Sequence, residues 1–315
     1  MNAVQLGAVL LVMWLASAVS GETLIRVSAD GTGDHRTVQA AIDAIPDGND
    51  RPVTIEIAPG IYKEKLRFPK TRHRITVRGM DDDPSRTVLT FDDFASRPGP
   101  DGQNLGTTGS TSVFIDGNDF VAENLTFENS AGDVGQAVAV KISGDRVIFR
   151  NCRFLGWQDT LYPHGGRCYF VNCYIEGRVD FIFGRGVAVF ERCRIHSKNG
   201  GYITAPATPE EEPWGFVFID CKLTGDDVPT YLGRPWRDFG ATAFIRCEIG
   251  GHIRPEGWHH WQPHREQTAR FIEWGNTGPG ADRSKRVAWA RTLTEEQVSQ
   301  ITAHTVLMGK DGWMP

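Results

Sequence analysis

A short phrase that recurs through the middle of the 315-residue chain limits its fold more than any other feature. Each copy has Phe, two variable residues, Cys, one variable residue and then Phe, Ile or Leu. Five copies place their cysteines at Cys152, Cys173, Cys193, Cys221 and Cys247, which are 21, 20, 28 and 26 residues apart. Such a unit is too short for a propeller blade but suits one coil of a parallel solenoid, whose coils bury their apolar faces against each other. The repeat therefore predicts an all-β chain folded as a parallel β-helix of short strands.

The segments on either side of the repeat predict the ends of this solenoid. Residues 121–127 resemble an earlier copy without cysteine. Thr37 is a candidate N-cap for a helix that ends before Pro46, and Thr294 with Gln297 forms a candidate capping box for a helix to about Leu307. Residues 254–311 are rich in aromatic residues, Gly and Pro, and we expect them to pack along the solenoid as a tail.

The first twenty residues are predicted to be a targeting segment rather than part of the fold. Residues 1–20 carry no charge and contain an apolar run followed by small residues. This pattern predicts a secretory signal peptide cut near Ala18 or Ser20, with an uncleaved membrane anchor as the alternative. We expect a secreted product, located outside the cell, in the cell wall or in the periplasm, with no membrane partner after cleavage. Residues 21–315 show no break in composition and are predicted to form one catalytic domain.

Charge and composition exclude several classes of function. The 34 basic and 39 acidic residues give a net charge of −5, so we expect no nucleic-acid partner. No CxxC or HExxH motif occurs, and the acidic runs 81–83 and 210–212 are interpreted as solvated turns, so no metal and no cofactor are predicted. The absence of G-x-S-x-G argues against a serine hydrolase of the nucleophile-elbow type.

The repeated cysteines allow two interpretations. Equivalent positions on successive coils lie about 4.8 Å apart, a separation that a disulfide can bridge, so Cys173 and Cys193 could be linked in an oxidising compartment. The interpretation that we favour is a column of small, buried thiols.

Two unusual phrases carry the candidate chemistry. Asp159 and Asp180 are 21 residues apart, the same interval that separates Cys152 from Cys173, so a solenoid would stack them on adjacent coils. Two neighbouring carboxyl groups cannot both ionise easily, and we expect one pKa to rise and the other to fall, which gives one acid and one base or nucleophile for hydrolysis. Gln136 lies 23 residues before Asp159, about one coil earlier, where an amide could donate to an oxyanion.

The chain resembles the pectin methylesterase (pectinesterase) family from about residue 27 to residue 315. Five phrases carry the resemblance, and they occur in this order: Gly60-Ile-Tyr-Lys-Glu64, Gln136-Ala-Val-Ala139, Gly156-Trp-Gln-Asp-Thr160, Asp180-Phe-Ile-Phe-Gly184 and Leu232-Gly-Arg-Pro-Trp236. The resemblance implies a right-handed parallel β-helix with short capping helices, two catalytic aspartates and, as substrate, methyl-esterified homogalacturonan in pectin. The implied activity is hydrolysis of galacturonate C6 methyl esters by a monomer, which releases methanol.

The resemblance also implies a role for each site residue. Asp180 would be the nucleophile and Asp159 the general acid and base. Gln136 and Gln158 would stabilise the oxyanion, Arg234 would keep Asp180 ionised, and Gln136 and Arg234 would also contact the substrate. Trp236 would contact sugar, and Thr107 matches a substrate-binding threonine.

Several further expectations concern the surroundings of these residues. Because Gln158 and Asp159 are consecutive and would face opposite ways on a regular strand, we expect a bend or a strand end after Gly156. Phe181 and Phe183 are assigned either to the cleft or to the core, and Tyr162 and Trp157 either to sugar binding or to structure. Trp258 and Trp261 are interpreted as tail packing rather than catalysis. Asn124 begins a glycosylation sequon that is expected to lie in a repeat strand.

Two other functions suit the same scaffold. A pectin depolymerase, either a glycosidase or a lyase, would cut the polymer, whereas an esterase leaves its length unchanged. A carbohydrate-binding solenoid would need neither aspartate for activity.

Overall fold

The structure, a computed structural model, describes residues 22–315, so the predicted signal peptide lies outside the described residues. The strands are β1 (Thr23–Val27), β2 (Val53–Ile57), β3 (Gly60–Lys63), β4 (Leu66–Phe68), β5 (Ile75–Gly79), β6 (Thr87–Phe91), β7 (Val113–Ile115), β8 (Val121–Glu123), β9 (Thr126–Asn129), β10 (Val140–Ile142), β11 (Val147–Arg150), β12 (Arg153–Leu155), β13 (Leu161–Pro163), β14 (Arg167–Val171), β15 (Tyr174–Gly184), β16 (Val187–Glu191), β17 (Arg194–Pro206), β18 (Phe216–Ile219), β19 (Lys222–Gly225), β20 (Thr230–Gly233), β21 (Ala241–Ile245), β22 (Glu248–Ile249) and β23 (Arg270–Trp274). The α-helices are α1 (Val38–Asp43), α2 (Gly106–Gly109), α3 (Glu295–Ser299) and α4 (Ala303–Leu307), and 3₁₀ turns lie at Pro84–Arg86, Arg265–Gln267 and Pro279–Ala281.

The strands form the three faces of a right-handed parallel β-helix, as the sequence predicted. The first face is a ten-stranded parallel sheet in the order β1-β2-β5-β8-β11-β14-β16-β18-β21-β23. The second and third faces belong to one sheet, because the long strands β15 and β17 pass from one face to the other. The second face contains β3, β6, β9, β12, β19 and β22, and the third contains β4, β7, β10, β13 and β20.

The repeated phrase sets the register of the coils. Phe149 pairs with Phe170, Phe170 with Phe190, Phe190 with Phe218 and Phe218 with Phe244 on the first face. Their rings stack inside the solenoid with centroids 4.5–4.9 Å apart. Apolar area is thus removed from water on every coil, which is the main stabilisation of a solenoid.

The cysteines line the same interior as buried, free thiols, which is the interpretation that we favoured. The residue before each of the five repeated cysteines makes the corner between the first and second faces with a left-handed backbone, for example Asn151 (φ 50°) and Asn172 (φ 55°). Asparagine tolerates this conformation, and the corner N–H groups of Asn151 and Asn172 donate to the next coil over 3.1 Å each. Asn124 occupies the same corner (φ 57°) between β8 and β9, so the prediction that its sequon lies in a strand is wrong for Asn124 and holds only for Thr126, the first residue of β9.

The predicted helices close the fold, with two differences. Thr37 caps α1, whose buried Val38 and Ile42 cover the N-terminal end of the solenoid. The Thr294–Gln297 capping box starts α3, but the expected continuous helix is broken before α4. Thr302 has an extended backbone there (φ −129°) and starts α4 with a second capping box, because its hydroxyl accepts from the Thr305 N–H. Both helices pack on the outside of the first face.

The segment 254–311 is more than a packed tail, because its strand β23 completes the first sheet by pairing with β21. Trp258 and Phe271 from this segment extend the column of aromatic rings beyond Phe244. The acidic runs 81–83 and 210–212 lie in turns, as expected. No helix within residues 22–315 is long and apolar enough to cross a membrane.

Candidate active site

The site lies where the chain turns from the second face to the third on successive coils. β12 ends at Leu155 and β13 begins at Leu161, so the strand ends one residue before Gly156 and the prediction of a strand end there is confirmed. Asp159 in this corner has a left-handed backbone (φ 65°), which lets it and Gln158 line the same cavity. Asp180 makes the equivalent corner one coil later (φ 50°), where β15 shifts register against β17.

The structure brings the two aspartates together. The N–H of Asp159 donates to the carbonyl of Val179, the residue before Asp180, over 3.1 Å. Both carboxyl groups line one cleft of about 620 Å³, and the exposed fractions of the residues are only 7% for Asp159 and 5% for Asp180. Both groups are therefore largely removed from water while their coil neighbours hold them side by side.

Arg234 binds one of the two acids. It follows β20, and its Nε and Nη2 donate to Asp180 Oδ1 and Oδ2 over 2.9 and 2.6 Å. Its guanidinium lies between two rings, 3.8 Å from the centroid of Tyr202 and 4.0 Å from that of Trp261. This two-point geometry fixes the orientation of the Asp180 carboxylate.

The two carboxyl groups have unequal proton affinities. Burial raises the pKa of Asp159 well above 3.8, and the negative charge of Asp180 raises it further. Burial also raises the pKa of Asp180, but the hydrogen bonds and the charge of Arg234 oppose that rise. The expectation that one pKa would fall is wrong, because both groups are withdrawn from water. The difference between the two sites nevertheless favours a proton on Asp159 and a carboxylate at Asp180.

Two amides face the same cleft from neighbouring coils. Gln136 and Gln158 form an isolated parallel bridge, and the Ala137 N–H donates to the Gln158 carbonyl over 3.1 Å. Both side chains line the cleft, and within residues 22–315 neither amide has a hydrogen-bond partner. Two N–H donors are thus available beside the aspartates.

The aromatic residues separate into cleft and core. Tyr162 and Phe183 line the cleft and stack with centroids 4.1 Å apart, and Trp236 packs at their edge, 5.9 Å from Phe183. Phe181, by contrast, is fully buried in the solenoid core. Trp157 is absent from the cleft lining, and Lys198 lies over its ring at 4.0 Å.

The tail supplies a wall that sequence reasoning missed. Trp258 packs in the core as predicted, and its Nε1 donates to Glu273 over 2.8 Å. The prediction for Trp261 is wrong, because this ring lines the cleft and covers one face of Arg234. Trp261 lies outside the repeat, so no coil spacing could have placed it. Thr107, in the short helix α2, also lines the cleft, together with Leu105 and Thr108.

The structure thus gathers every residue that the sequence singled out for chemistry: Thr107, Gln136, Gln158, Asp159, Asp180, Arg234 and Trp236. Among residues 22–315, no group of three or more His, Cys, Asp or Glu side chains is arranged to hold a metal ion. The arrangement offers a carboxylate nucleophile, a neighbouring acid and two amide donors, which are the groups that acyl transfer requires.

Comparison with known proteins identifies the family. Residues 24–310 match the family model described as Pectinesterase. Pectinesterase 31 of Arabidopsis thaliana is 44% identical over 291 residues, covering 90% of this chain and 91% of that protein. The structure of a pectin methylesterase from carrot is 32% identical, with a TM-score of 0.85, and covers 95% of this chain and 98% of that one.

A pectin methylesterase structure in complex with a hexasaccharide is also similar, with 30% identity and a TM-score of 0.80 over 92% of this chain and 98% of that one. These matches do not favour a depolymerase or a non-catalytic solenoid. The chain belongs to the pectinesterase family of carboxylic ester hydrolases, which demethylate pectin.

Proposed function

We propose that this pectinesterase hydrolyses the C6 methyl ester of galacturonate units with Asp180 as nucleophile and Asp159 as acid and base. The observation that carries the proposal is the unequal environment of the two neighbouring acids. Arg234 donates two hydrogen bonds to Asp180, whereas within residues 22–315 no side chain donates one to Asp159, and only the charge of Arg234 opposes the effect of its burial. Asp180 is therefore suited to attack as a carboxylate while Asp159 holds a proton.

In the first half-reaction, an Asp180 oxygen bonds to the ester carbonyl carbon, and the carbonyl oxygen becomes an oxyanion. The free amide N–H groups of Gln136 and Gln158 face the same cleft and donate to this oxyanion. The tetrahedral species then expels the methoxy oxygen, which takes the proton of Asp159 and leaves as methanol. The products of this step are an anhydride between Asp180 and the galacturonyl group and an ionised Asp159.

In the second half-reaction, the Asp159 carboxylate takes a proton from water, whose oxygen attacks the galacturonyl carbon of the anhydride. The same amides stabilise the second oxyanion, and the acyl bond to Asp180 breaks. The sugar leaves with a free carboxyl group, Asp180 is again a carboxylate paired with Arg234, and Asp159 is again protonated. Trp236, Tyr162 and Trp261 offer apolar rings against which a pyranose ring packs.

The substrate proposed for this cleft is methyl-esterified homogalacturonan. A related pectin methylesterase binds a hexasaccharide, and the cleft here, of about 620 Å³, contains both aspartates and several aromatic rings. We also propose that residues 21–315 form one catalytic domain, that the enzyme acts as a monomer, and that it is secreted after loss of residues 1–20. N-terminal sequencing and light scattering of the exported enzyme test these last points.

The deciding experiment measures methanol release from methylated pectin by the wild type, Asp180→Ala and Asp159→Ala, together with the viscosity of the polymer. Both variants are expected to lose at least about a thousandfold in kcat, while the wild type releases methanol without shortening the polymer. Asp220→Ala is the matched control, because Asp220 also occupies a left-handed corner (φ 52°) and binds an arginine, Arg246, but lies exposed outside the cleft. Retained turnover in Asp180→Ala would remove the assigned nucleophile.

A further inference from the structure

A strained residue of the tail segment covers the arginine of the active site. Trp261 has a left-handed backbone (φ 63°), a conformation that bulky residues rarely adopt unless other contacts stabilise it. Its ring centroid lies 4.0 Å from the guanidinium of Arg234, which in turn donates two hydrogen bonds to Asp180. The backbone conformation of this one residue therefore decides whether one face of the guanidinium is covered.

A hydrogen bond to a histidine ring stabilises Trp261 in this conformation. The backbone N–H of Trp261 donates to Nδ1 of His259 over 3.0 Å. Because a backbone N–H can only donate, this Nδ1 carries no proton, and the ring is the neutral tautomer with its proton on Nε2. A protonated histidine carries an N–H at both ring nitrogens, so it cannot accept the bond from Trp261.

His259 is itself fixed to the strand that leads to Arg234. Its backbone N–H donates to the carbonyl of Gly233, the last residue of β20, over 3.0 Å. Its ring centroid lies 5.6 Å from that of Tyr202 and 5.4 Å from that of Tyr231. Since Arg234 directly follows Gly233, the histidine is held at a fixed distance from the arginine that Trp261 covers.

The surroundings of His259 favour its neutral form. The rings of Tyr202 in β17 and Tyr231 in β20 face it, and the ring of His260 stacks on it with centroids 4.7 Å apart. Burial lowers the pKa of His259 from its ordinary value of 6.5, and the charges of His260 and Arg234 lower it further. The ring is therefore neutral at neutral pH and takes up a proton only in acid, below pH 6.5.

We propose that His259 is a positioning residue whose neutral ring holds Trp261 against Arg234 and whose protonation releases this contact. The inference rests on the proposed function and deepens it, because it adds a group whose protonation lowers the activity in acid independently of Asp180. Once the hydrogen bond is lost, the strained backbone of Trp261 relaxes and its ring leaves the guanidinium. Arg234 then keeps only Tyr202 on its other face and orients the Asp180 carboxylate less firmly.

The experiment compares kcat/KM for methanol release by the wild type, His259→Asn and His259→Leu between about pH 4 and about pH 8. An asparagine presents an oxygen where the ring presents Nδ1, so it accepts the Trp261 N–H at every pH, whereas a leucine never accepts it. At about pH 8, His259→Asn is expected to match the wild type and His259→Leu to be roughly fivefold slower, the factor that one hydrogen bond contributes. At about pH 4, the wild type is expected to fall to the level of His259→Leu, roughly fivefold below His259→Asn.

The ratios of kcat/KM at each pH separate this effect from the titration of Asp180, because all three proteins share that aspartate. His264→Asn is the matched control. His264 is an exposed histidine of the same segment with a left-handed backbone (φ 76°), but its Nδ1 lies 3.2 Å from the exposed side chain of Gln267 rather than a backbone N–H. This variant is expected to keep the wild-type pH profile of kcat/KM.

Three results would overturn the proposal. Equal pH profiles of kcat/KM in His259→Asn and the wild type would show that protonation of His259 does not affect the reaction. Equal losses in His259→Asn and His259→Leu at about pH 8 would assign the effect to packing of the ring, and wild-type kcat/KM in His259→Leu would show that the hydrogen bond is unnecessary.

If His259→Leu does not fold, the comparison of His259→Asn with the wild type decides alone, since the two must diverge as pH falls. Loss of turnover in Asp180→Ala tests the catalytic roles separately, because each His259 variant still releases methanol.

Discussion

Replacing Arg234 by alanine removes both hydrogen bonds that hold the Asp180 carboxylate and leaves that carboxylate buried without a counter-charge. Losing one partner of a buried ion pair costs about 3–5 kcal/mol. The exposed fraction of the side chain is 20% for Arg234 and 7% for Asp180, so water offsets part of the loss and the lower end applies. At about 1.4 kcal/mol per factor of ten, kcat/KM is expected to fall about a hundredfold.

The pH dependence of kcat/KM is expected to change in a definite direction in Arg234→Ala. Asp180 acts as a carboxylate, and Arg234 opposes the rise that burial causes in its pKa. Without the arginine, the pKa of Asp180 rises further, and the carboxylate forms only at higher pH. The acidic limb of kcat/KM must therefore move to higher pH in Arg234→Ala and less far in Arg234→Lys, which keeps the charge but not the two-point geometry.

The assay is initial-rate methanol release over about pH 4–9, with thermal unfolding as a check of the fold. Arg246→Ala is the matched control, because Arg246 makes a similar two-point contact with Asp220, at 2.8 and 3.2 Å, on the exposed surface. The Arg246→Ala variant is expected to keep the wild-type rate of methanol release and the wild-type pH profile of kcat/KM. A slow Arg234→Ala variant with an unmoved acidic limb would refute the reasoning and assign Arg234 a purely structural role.

Two further predictions concern stability. Folding raises the pKa of Asp159, so the stability that this acid contributes is present below its unfolded pKa and is lost as pH rises through its folded pKa. The amide of Asp159→Asn cannot ionise, so this variant is expected to have a Tm a few degrees above that of the wild type at about pH 8 but not at about pH 4. An equal change in Tm at the two pH values would contradict the prediction. Phe190→Ala opens a cavity in the column of stacked rings and is expected to lower Tm by roughly 10 °C. Phe239 is only half-buried, so Phe239→Ala is the control and is expected to lower Tm by only a few degrees. Equal decreases in Tm would show that the column of rings adds nothing to the stability of the fold.

Much of the fold could be predicted because a solenoid translates sequence spacing directly into spatial register. The interval between Cys152 and Cys173 equals that between Asp159 and Asp180, and the coils do place each pair on successive turns. The N-terminal coils carried by β2 and β5 could not be identified in the same way. Their strands alternate apolar and polar residues but lack the cysteine phrase, so nothing marks them as copies.

Other features depend on contacts between segments that are distant in the chain. The break between α3 and α4 follows from a second capping box at Thr302, while the capping box at Thr294 predicts only where a helix starts. The pKa values of Asp159 and Asp180 are both raised because the walls of the cleft bury the two carboxyl groups together. The spacing of the two aspartates in the sequence does not predict this burial.

The sequence by itself determined the coil repeat, the neighbourhood of Asp159 and Asp180, and membership of the pectinesterase family, because each is encoded in residues at fixed intervals or in ordered phrases. Only the tertiary structure decided that Trp261 covers Arg234 and that Asp238 pairs with Arg265 of the tail segment. The physical reason is that a repeat specifies neighbours one coil apart. Packing of the tail and the pairing of surface charges depend instead on how the whole chain closes around the site.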